Sequence, residues 1–238
     1  MATSLLTVCR ELNSAADSDK AEQLKKFFKT GEGEYAYGDQ FLGVTVPVLR
    51  TIAARHTELS LEDITFLIKS PIHEERMTAL LILVAQFRNG DEYARTRIYV
   101  FYLKHTKWVN NWDLVDSSAH HIVGAYLEGR DKEVLKNLAR SQLLWERRIA
   151  MVATFYEIQK GRPHPALTIA KILLRDEHDL MHKAVGWMLR EVGKRACQES
   201  LEKFLKQNYT EMPRTMLRYA IERFPEEKRQ MYLKALVA

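Results

Sequence analysis

The chain has 238 residues, 46 % of them hydrophobic and 28 % charged, a composition that forms a packed core and excludes a disordered polymer. Ten glycines and six prolines are too few for the turns of an all-β sandwich or barrel, and two cysteines without a C-x-x-C supply neither a disulfide framework nor a zinc cage. A formal charge of +5 permits an anionic partner without demanding one.

Helical periodicity runs through nearly the whole chain. Residues 18–30 open with Ser18 or Asp19 as N-cap and set Ala21, Leu24, Phe27 and Phe28 on one face. Ser60 starts a second helix in a capping-box pattern, with Asp63 at the third helical position. Further helices are expected over 46–56, 73–88, 91–105, 112–128, 131–141, 145–160, 165–175, 179–196, 198–207, 212–223 and 226–236. The breaks fall at Gly31/Gly33/Gly38, Asn89-Gly90, Gly129, Gly161/Pro163/Pro165 and Phe224-Pro225, short connections that suit antiparallel neighbours. No segment reads as a strand or a low-complexity linker. The longest apolar run, Ala79 to Ala85, falls far short of a membrane span, and the first residues, MATSLLTVCRELN, lack a basic start. A cytoplasmic protein that meets no membrane is the expectation.

Some helices echo one another. Arg76, Arg148 and Lys183 each precede a stretch of small and apolar residues, at separations of 72 and 35 residues. A period of roughly 35–40 residues in an all-α chain is the length of one helix pair. The expected fold is therefore all-α, a right-handed superhelical array of HEAT-like helix-pair repeats forming a single domain over 1–238; a compact helical bundle is the alternative.

Two helices carry unusual residues. The helix from 179 sets Lys183, Trp187, Arg190 and Lys194 in one stripe, while Ala184, Val185, Met188, Leu189 and Val192 form a core face. A basic stripe containing an indole has the composition of a nucleic-acid groove, and equally of a solvated face with one packed Trp. The helix from 112 sets Trp112, Asp116 and His120 one turn apart, with Val115, Ala119, Ile122 and Tyr126 toward the core. A carboxylate above an indole can stabilise a developing cation or orient a water; a merely solvated Asp116 fits the spacing as well. Asp113 lies on a neighbouring face, as a first-turn acid complementing the helix dipole. Asp116, Ser117 and His120 have the residue types of a hydrolase triad but diverge on one helix, and no G-x-S-x-G is present. His120, His121 and His164 lack metal-site spacing, and no glycine-rich phosphate cradle occurs, so no metal or cofactor is expected.

Asn111-Trp112-Asp113-Leu114-Val115-Asp116, Trp145-Glu146-Arg147-Arg148-Ile149-Ala150 and Lys183-Ala184-Val185-Gly186-Trp187-Met188-Leu189-Arg190-Glu191 closely resemble the AlkD family of DNA alkylation-repair glycosylases. The segment from Phe41 to Arg50, FLGVTVPVLR, resembles that family's N-terminal motif, and the likeness covers about residues 20 to 225. The resemblance implies an α-superhelix of HEAT-like repeats that excises cationic N3- and N7-alkylpurines from duplex DNA, as a monomer and without a cofactor. It implies that Asp116 is the catalytic aspartate, Trp112 and Trp187 the active-site tryptophans and Arg148 the basic residue beside them. It also implies an open cleft that meets backbone and sugar instead of a pocket for a flipped base. Thr45 stands where the better-known members have an amide side chain and Phe27 where they have a tyrosine; both positions lie near DNA in the family. Lys183, Arg190 and Lys194 are the expected phosphate contacts. A non-catalytic DNA-binding repeat protein and a protein–protein scaffold are the competing readings.

Overall fold

The structure is a computed structural model that describes residues 4–236. It is all-helical, with no strand among the described residues and one isolated parallel bridge between Gln40 and Ile72. The chain divides after Ile122 into two compact units. No helix among the described residues is long and apolar enough to cross a membrane.

The first unit contains α1 (Leu5–Ser14), α2 (Ser18–Phe27), α3 (Val46–Arg55), α4 (Leu61–Ile68), α5 (His73–Asn89), α6 (Glu92–Lys104) and α7 (Trp112–Ala119). Its centre is α5, which packs against α3, α4, α6 and α7. Helix α5 is apolar around most of its circumference from Met77 to Phe87, where its neighbours cover it, and its first turn nonetheless carries buried His73, Glu74 and Arg76. The sequence reading overlooked α1. Ser4 caps it by accepting from the Thr7 N–H, and Val8 and Leu12 are buried. Helix α2 is capped by Asp17, not by Ser18 or Asp19, through the Lys20 N–H. Phe27 also departs from expectation: Ala21 and Phe28 are buried, whereas Phe27 remains 62 % exposed. Ser60 does cap α4, accepting from the Asp63 N–H at 3.0 Å.

The second unit contains α8 (Glu133–Ala139), α9 (Leu144–Ala153), α10 (Phe155–Gln159), α11 (His164–Ile172), α12 (Asp179–Glu191), α13 (Gln198–Asn208), α14 (Arg214–Ala220) and α15 (Glu226–Leu233). Helix α12 packs chiefly against α14 and α8 against α9. The contact of α12 with α14 requires Gly186, since a Cβ there would lie 2.5 Å from the Met216 carbonyl oxygen. The expected core face of α12 is buried as read: Ala184, Val185, Met188, Leu189 and Val192. Three long helices of the sequence reading are interrupted. The Thr154 hydroxyl donates to the Met151 carbonyl and separates α9 from α10. The continuations of α7 and α12 widen into π-turns at His120–Gly124 and Val192–Ala196.

Recurring hydrogen bonds reveal a repeat, one residue away from the register read in the sequence. The Ser70 hydroxyl accepts from the Ile72 N–H, and Arg76 Nη1 donates back to the Ser70 carbonyl at 2.8 Å. Ser141, Leu143 and Arg147 repeat that pattern before α9. Asp176, His178 and His182 repeat it before α12, with His182 Nε2 donating to the Asp176 carbonyl at 2.5 Å. The equivalent positions are thus Arg76, Arg147 and His182, not Arg76, Arg148 and Lys183. Each closes the turn that launches its helix.

Candidate active site

The FLGVTVPVLR segment leads into α3 and is held by a buried acid. Glu74 accepts the backbone N–H groups of Leu42, Gly43 and Val44 at 3.0, 2.8 and 3.3 Å. Gly43 has φ +81°, and a Cβ there would lie 2.0 Å from the Asp17 carbonyl oxygen, so only glycine fits. Thr45 then becomes the N-cap position of α3, exposed and making no side-chain cap bond. Thr45, Phe27, Phe28, Met77, His73, Trp112 and Asp113 line a mainly apolar cleft of about 510 Å³. Three sequence-selected residues therefore meet here: Phe27, Thr45 and Trp112. The Phe27 ring stands edge-on to Trp112 at 5.9 Å, and Phe28 stacks on Trp112 at 5.4 Å.

Behind the cleft lies a buried polar network. His73 Nε2 donates to Asp113 Oδ2 at 2.8 Å, and His73 Nδ1 lies 3.5 Å from Asp39 Oδ2. Arg76 Nη2 closes on the other Asp39 oxygen at 2.7 Å. The imidazole also packs on Phe28 and Phe41, with centroids 4.8 and 4.9 Å away. Burial alone would lower the His73 pKa, but hydrogen bonds to Asp113 and Asp39 and the Asp113 charge outweigh it and raise the pKa to about 8. Burial likewise opposes ionisation of Asp39, yet its hydrogen bond to His73 and the Arg76 charge hold its carboxyl below the ordinary value. His73 is thus a buried imidazolium at neutral pH. Asp113 does serve the first turn, accepting from the Leu114 N–H at 2.8 Å, but its second oxygen is committed to His73.

Trp112 is the first residue of α7, and Asp116 sits one turn later; both are half-buried. Asp116 is not among the residues lining the cleft. The Ser117 hydroxyl donates to the Leu114 carbonyl, as its neighbour Ser118 also does, so Ser117 is not aligned as a nucleophile. Burial drives the His120 pKa down to about 4, reinforced by His121 and opposed by a hydrogen bond to the Asp116 backbone. His120 is neutral. Among the described residues, no group of three or more His, Cys, Asp or Glu side chains is arranged to hold a metal ion.

In the second unit, Arg148 is buried on α9 and donates from Nη1 to the Leu180 carbonyl at 2.8 Å. Trp187 is half-buried on α12, its ring 6.1 Å from Phe155. The basic stripe is partly neutralised within the unit. Lys183 pairs with Asp179 at 2.6 Å, and Arg190 pairs with Glu222 and with Glu191. Lys194 is exposed on the π-turn after α12.

The profile of a family described as DNA alkylation repair enzyme matches residues 8–224. The chain belongs to this family. Three solved structures share the fold. A predicted DNA alkylation repair enzyme from Enterococcus faecalis aligns with a TM-score of 0.67 at 14 % identity, over 89 % of this chain and 97 % of that one. AlkD2 from Streptococcus mutans aligns at 0.56 and 16 %, over 88 % and 99 %. The protein smu.31 from Streptococcus mutans UA159 aligns at 0.52 and 16 %, over 93 % and 99 %. No curated protein matches the chain. Of the buried polar residues around the cleft, His73, Glu74 and Asp39 are not singled out in the sequence, and Arg76 is singled out only for the repeat. The available signal was His-Glu-Glu-Arg opening a helix that is then apolar around most of its circumference, because charges in such a helix must be buried and paired.

Proposed function

We propose that the protein is a DNA glycosylase that removes cationic N3- and N7-alkylpurines from duplex DNA and leaves an abasic site. Alkylation at N3 or N7 makes the purine positively charged and a good leaving group, so the reaction needs little acid assistance. As the glycosidic bond lengthens, positive charge passes to the deoxyribose as an oxocarbenium ion. The Asp116 carboxylate stabilises that cation and positions or deprotonates the attacking water. Indole faces favour the cationic sugar through their ring quadrupoles, at about 0.5–2 kcal/mol each. That is the role assigned to Trp112, and by the family resemblance to Trp187, with Arg148 supporting the site and the DNA backbone.

One observation carries the reading in a chain of this family: Asp116 is half-buried one helical turn from Trp112, which is stacked on Phe28 beside an apolar cleft. Phe27 and Thr45 present an apolar ring and a hydroxyl at the same cleft, and they are assigned to contact DNA there. Of the expected phosphate contacts, Lys194 remains exposed, whereas the ion pairs of Lys183 and Arg190 reduce what those two add. The test is incubation with duplex DNA carrying one N7-methylguanine. Release of free 7-methylguanine and formation of an abasic site are expected. Binding without release points to a non-catalytic relative, and absence of duplex binding points to a scaffold.

A further inference from the structure

We propose that Lys69 and Lys107, set around the Trp108 ring, form a seat for the phosphodiester backbone of duplex DNA in the first unit. The proposal rests on the DNA-directed reading above. Lys69 terminates α4, and Lys107 lies in the 3-10 turn Thr106–Trp108 that precedes α7. Their ammonium groups lie 4.9 and 6.0 Å from the centroid of the Trp108 ring. His105 packs 5.5 Å from Trp108 and itself stacks on Phe101 at 4.1 Å, so the indole ends an aromatic column. Lys104, the last residue of α6, adds a third exposed cation beside this column in the chain.

Three observations separate this patch from an ordinary solvated surface. Lys69, Lys104 and Lys107 are all exposed, and none has a carboxylate within ion-pair distance among the described residues. The stripe on α12 read from the sequence differs, because its Lys183 and Arg190 are paired with acids. Lys69 and Lys107 both add positive potential around one indole, which attracts a polyanion. The platform is also rigid. Thr106, Val109 and Asn111 are buried, and His105 Nδ1 donates to the Phe101 carbonyl at 2.7 Å. A phosphate would thus meet cations whose backbone is already ordered, which lowers the entropy lost on binding.

Chain geometry relates the seat to the reaction. Trp108 and Trp112 are four residues apart, so their Cα atoms are separated by no more than about 14 Å. With a lysine side chain added and a duplex rise of about 3.4 Å per nucleotide, the seat must act within about six base steps of the nucleotide that meets Trp112. An extended duplex strand supplies phosphates at that distance; a free phosphate ion does not connect the two places.

The experiment measures anisotropy of a labelled, undamaged duplex between about 50 and 200 mM salt. The wild-type protein is compared with K69A/K107A, with the charge-keeping K69R/K107R, and with K203A/K206A. That last pair removes the same charge from exposed positions on α13. Loss of two phosphate contacts should weaken K69A/K107A by about tenfold or more and flatten the slope of log K against log salt by about 2. The Arg pair should bind as the wild type does, and the α13 pair should change little. Equal binding by K69A/K107A and K203A/K206A overturns the proposal, as does competition by millimolar inorganic phosphate that matches competition by unlabelled duplex. Release of 7-methylguanine by the wild-type protein is measured in parallel. If none is released while K69A/K107A alone loses affinity, the glycosylase reading fails and the backbone seat stands. If release is normal and affinity is unchanged, the seat fails and the glycosylase reading stands.

Discussion

Helices α7 and α12 look alike in sequence, since each carries a Trp with polar residues at helical spacing, but they are held by opposite means. The first turn of α7 is fixed by partners remote in the chain: Asp113 meets His73, 40 positions away, and His73 lies beside Asp39. The stripe of α12 is tied by acids on or beside it: Asp179 is one turn from Lys183, and Arg190 meets the adjoining Glu191 as well as Glu222 of the same unit. A buried charge is expensive unless its partners are all in place, whereas an exposed pair is nearly dispensable. The α7 turn is therefore a fixed platform, whereas the Lys183–Asp179 end of the α12 stripe is a replaceable surface pair.

The largest effect expected from this contrast is on stability. His73→Leu takes the imidazolium from buried Asp39 and half-buried Asp113 and should cost about 3–5 kcal/mol in urea unfolding. Lys183→Ala should stay within about 1 kcal/mol of the wild type. Similar losses for the two variants would erase the distinction between the helices. Next is the reaction itself. Asp116→Asn keeps the side chain's size and removes its charge, so single-turnover release of 7-methylguanine should slow by about 10²-fold, roughly 2.7 kcal/mol. Asp113→Asn should lower the melting temperature while release per folded molecule stays near wild type. A greater loss of chemistry at Asp113 than at Asp116 would transfer the catalytic role.

A pH series tests the α7 platform further. The His73 pKa is raised from 6.5 to about 8 on folding, so its contribution is complete below about 6.5 and is lost as pH rises through 8, in all about 2 kcal/mol. The His120 pKa is lowered to about 4, so its neutral, buried form favours folding above 6.5 and that contribution is lost as pH falls toward 4. Urea midpoints should decline on both sides of about pH 6.5. The alkaline decline should vanish in His73→Gln. Its persistence would assign that limb to another group.

The unequal legibility of the two helices has a physical origin. Periodicity marks a helix and its core face, and α12 was readable to that extent: all five residues expected to face the core are buried. The interruptions at Thr154 and at the two π-turns were not readable, because a hydroxyl that bonds backward and a widened turn leave the apolar spacing almost unchanged. Local ion pairs such as Lys183–Asp179 were visible as spacing. The network of Asp39, His73, Arg76 and Asp113 joins three separate stretches of chain, and no spacing encodes it. Phe27 shows the same limit from the other side, since it lies on the apolar face of its helix yet stands exposed at a cleft, edge-on to Phe28 and Trp112.

The smallest effect concerns the α12 stripe in DNA binding. Periodicity makes Lys183 and Arg190 obvious phosphate contacts, but each must first leave a carboxylate. Exchanging an existing ion pair for a phosphate frees little net charge, because the released acid then repels the same backbone. Lys183→Ala combined with Arg190→Ala should therefore weaken duplex binding by no more than about threefold and leave the salt slope nearly unchanged, by contrast with the slope loss of about 0.9 for each direct phosphate contact. Asp179→Asn and Glu222→Gln sharpen the test, since freeing Lys183 and removing one of the two acids on Arg190 should raise affinity slightly and steepen the salt dependence. A tenfold loss in the Lys183/Arg190 double variant, with a slope flatter by about 2, would show that DNA displaces the acids. The α12 stripe would then be a direct phosphate contact on the same footing as Lys69 and Lys107.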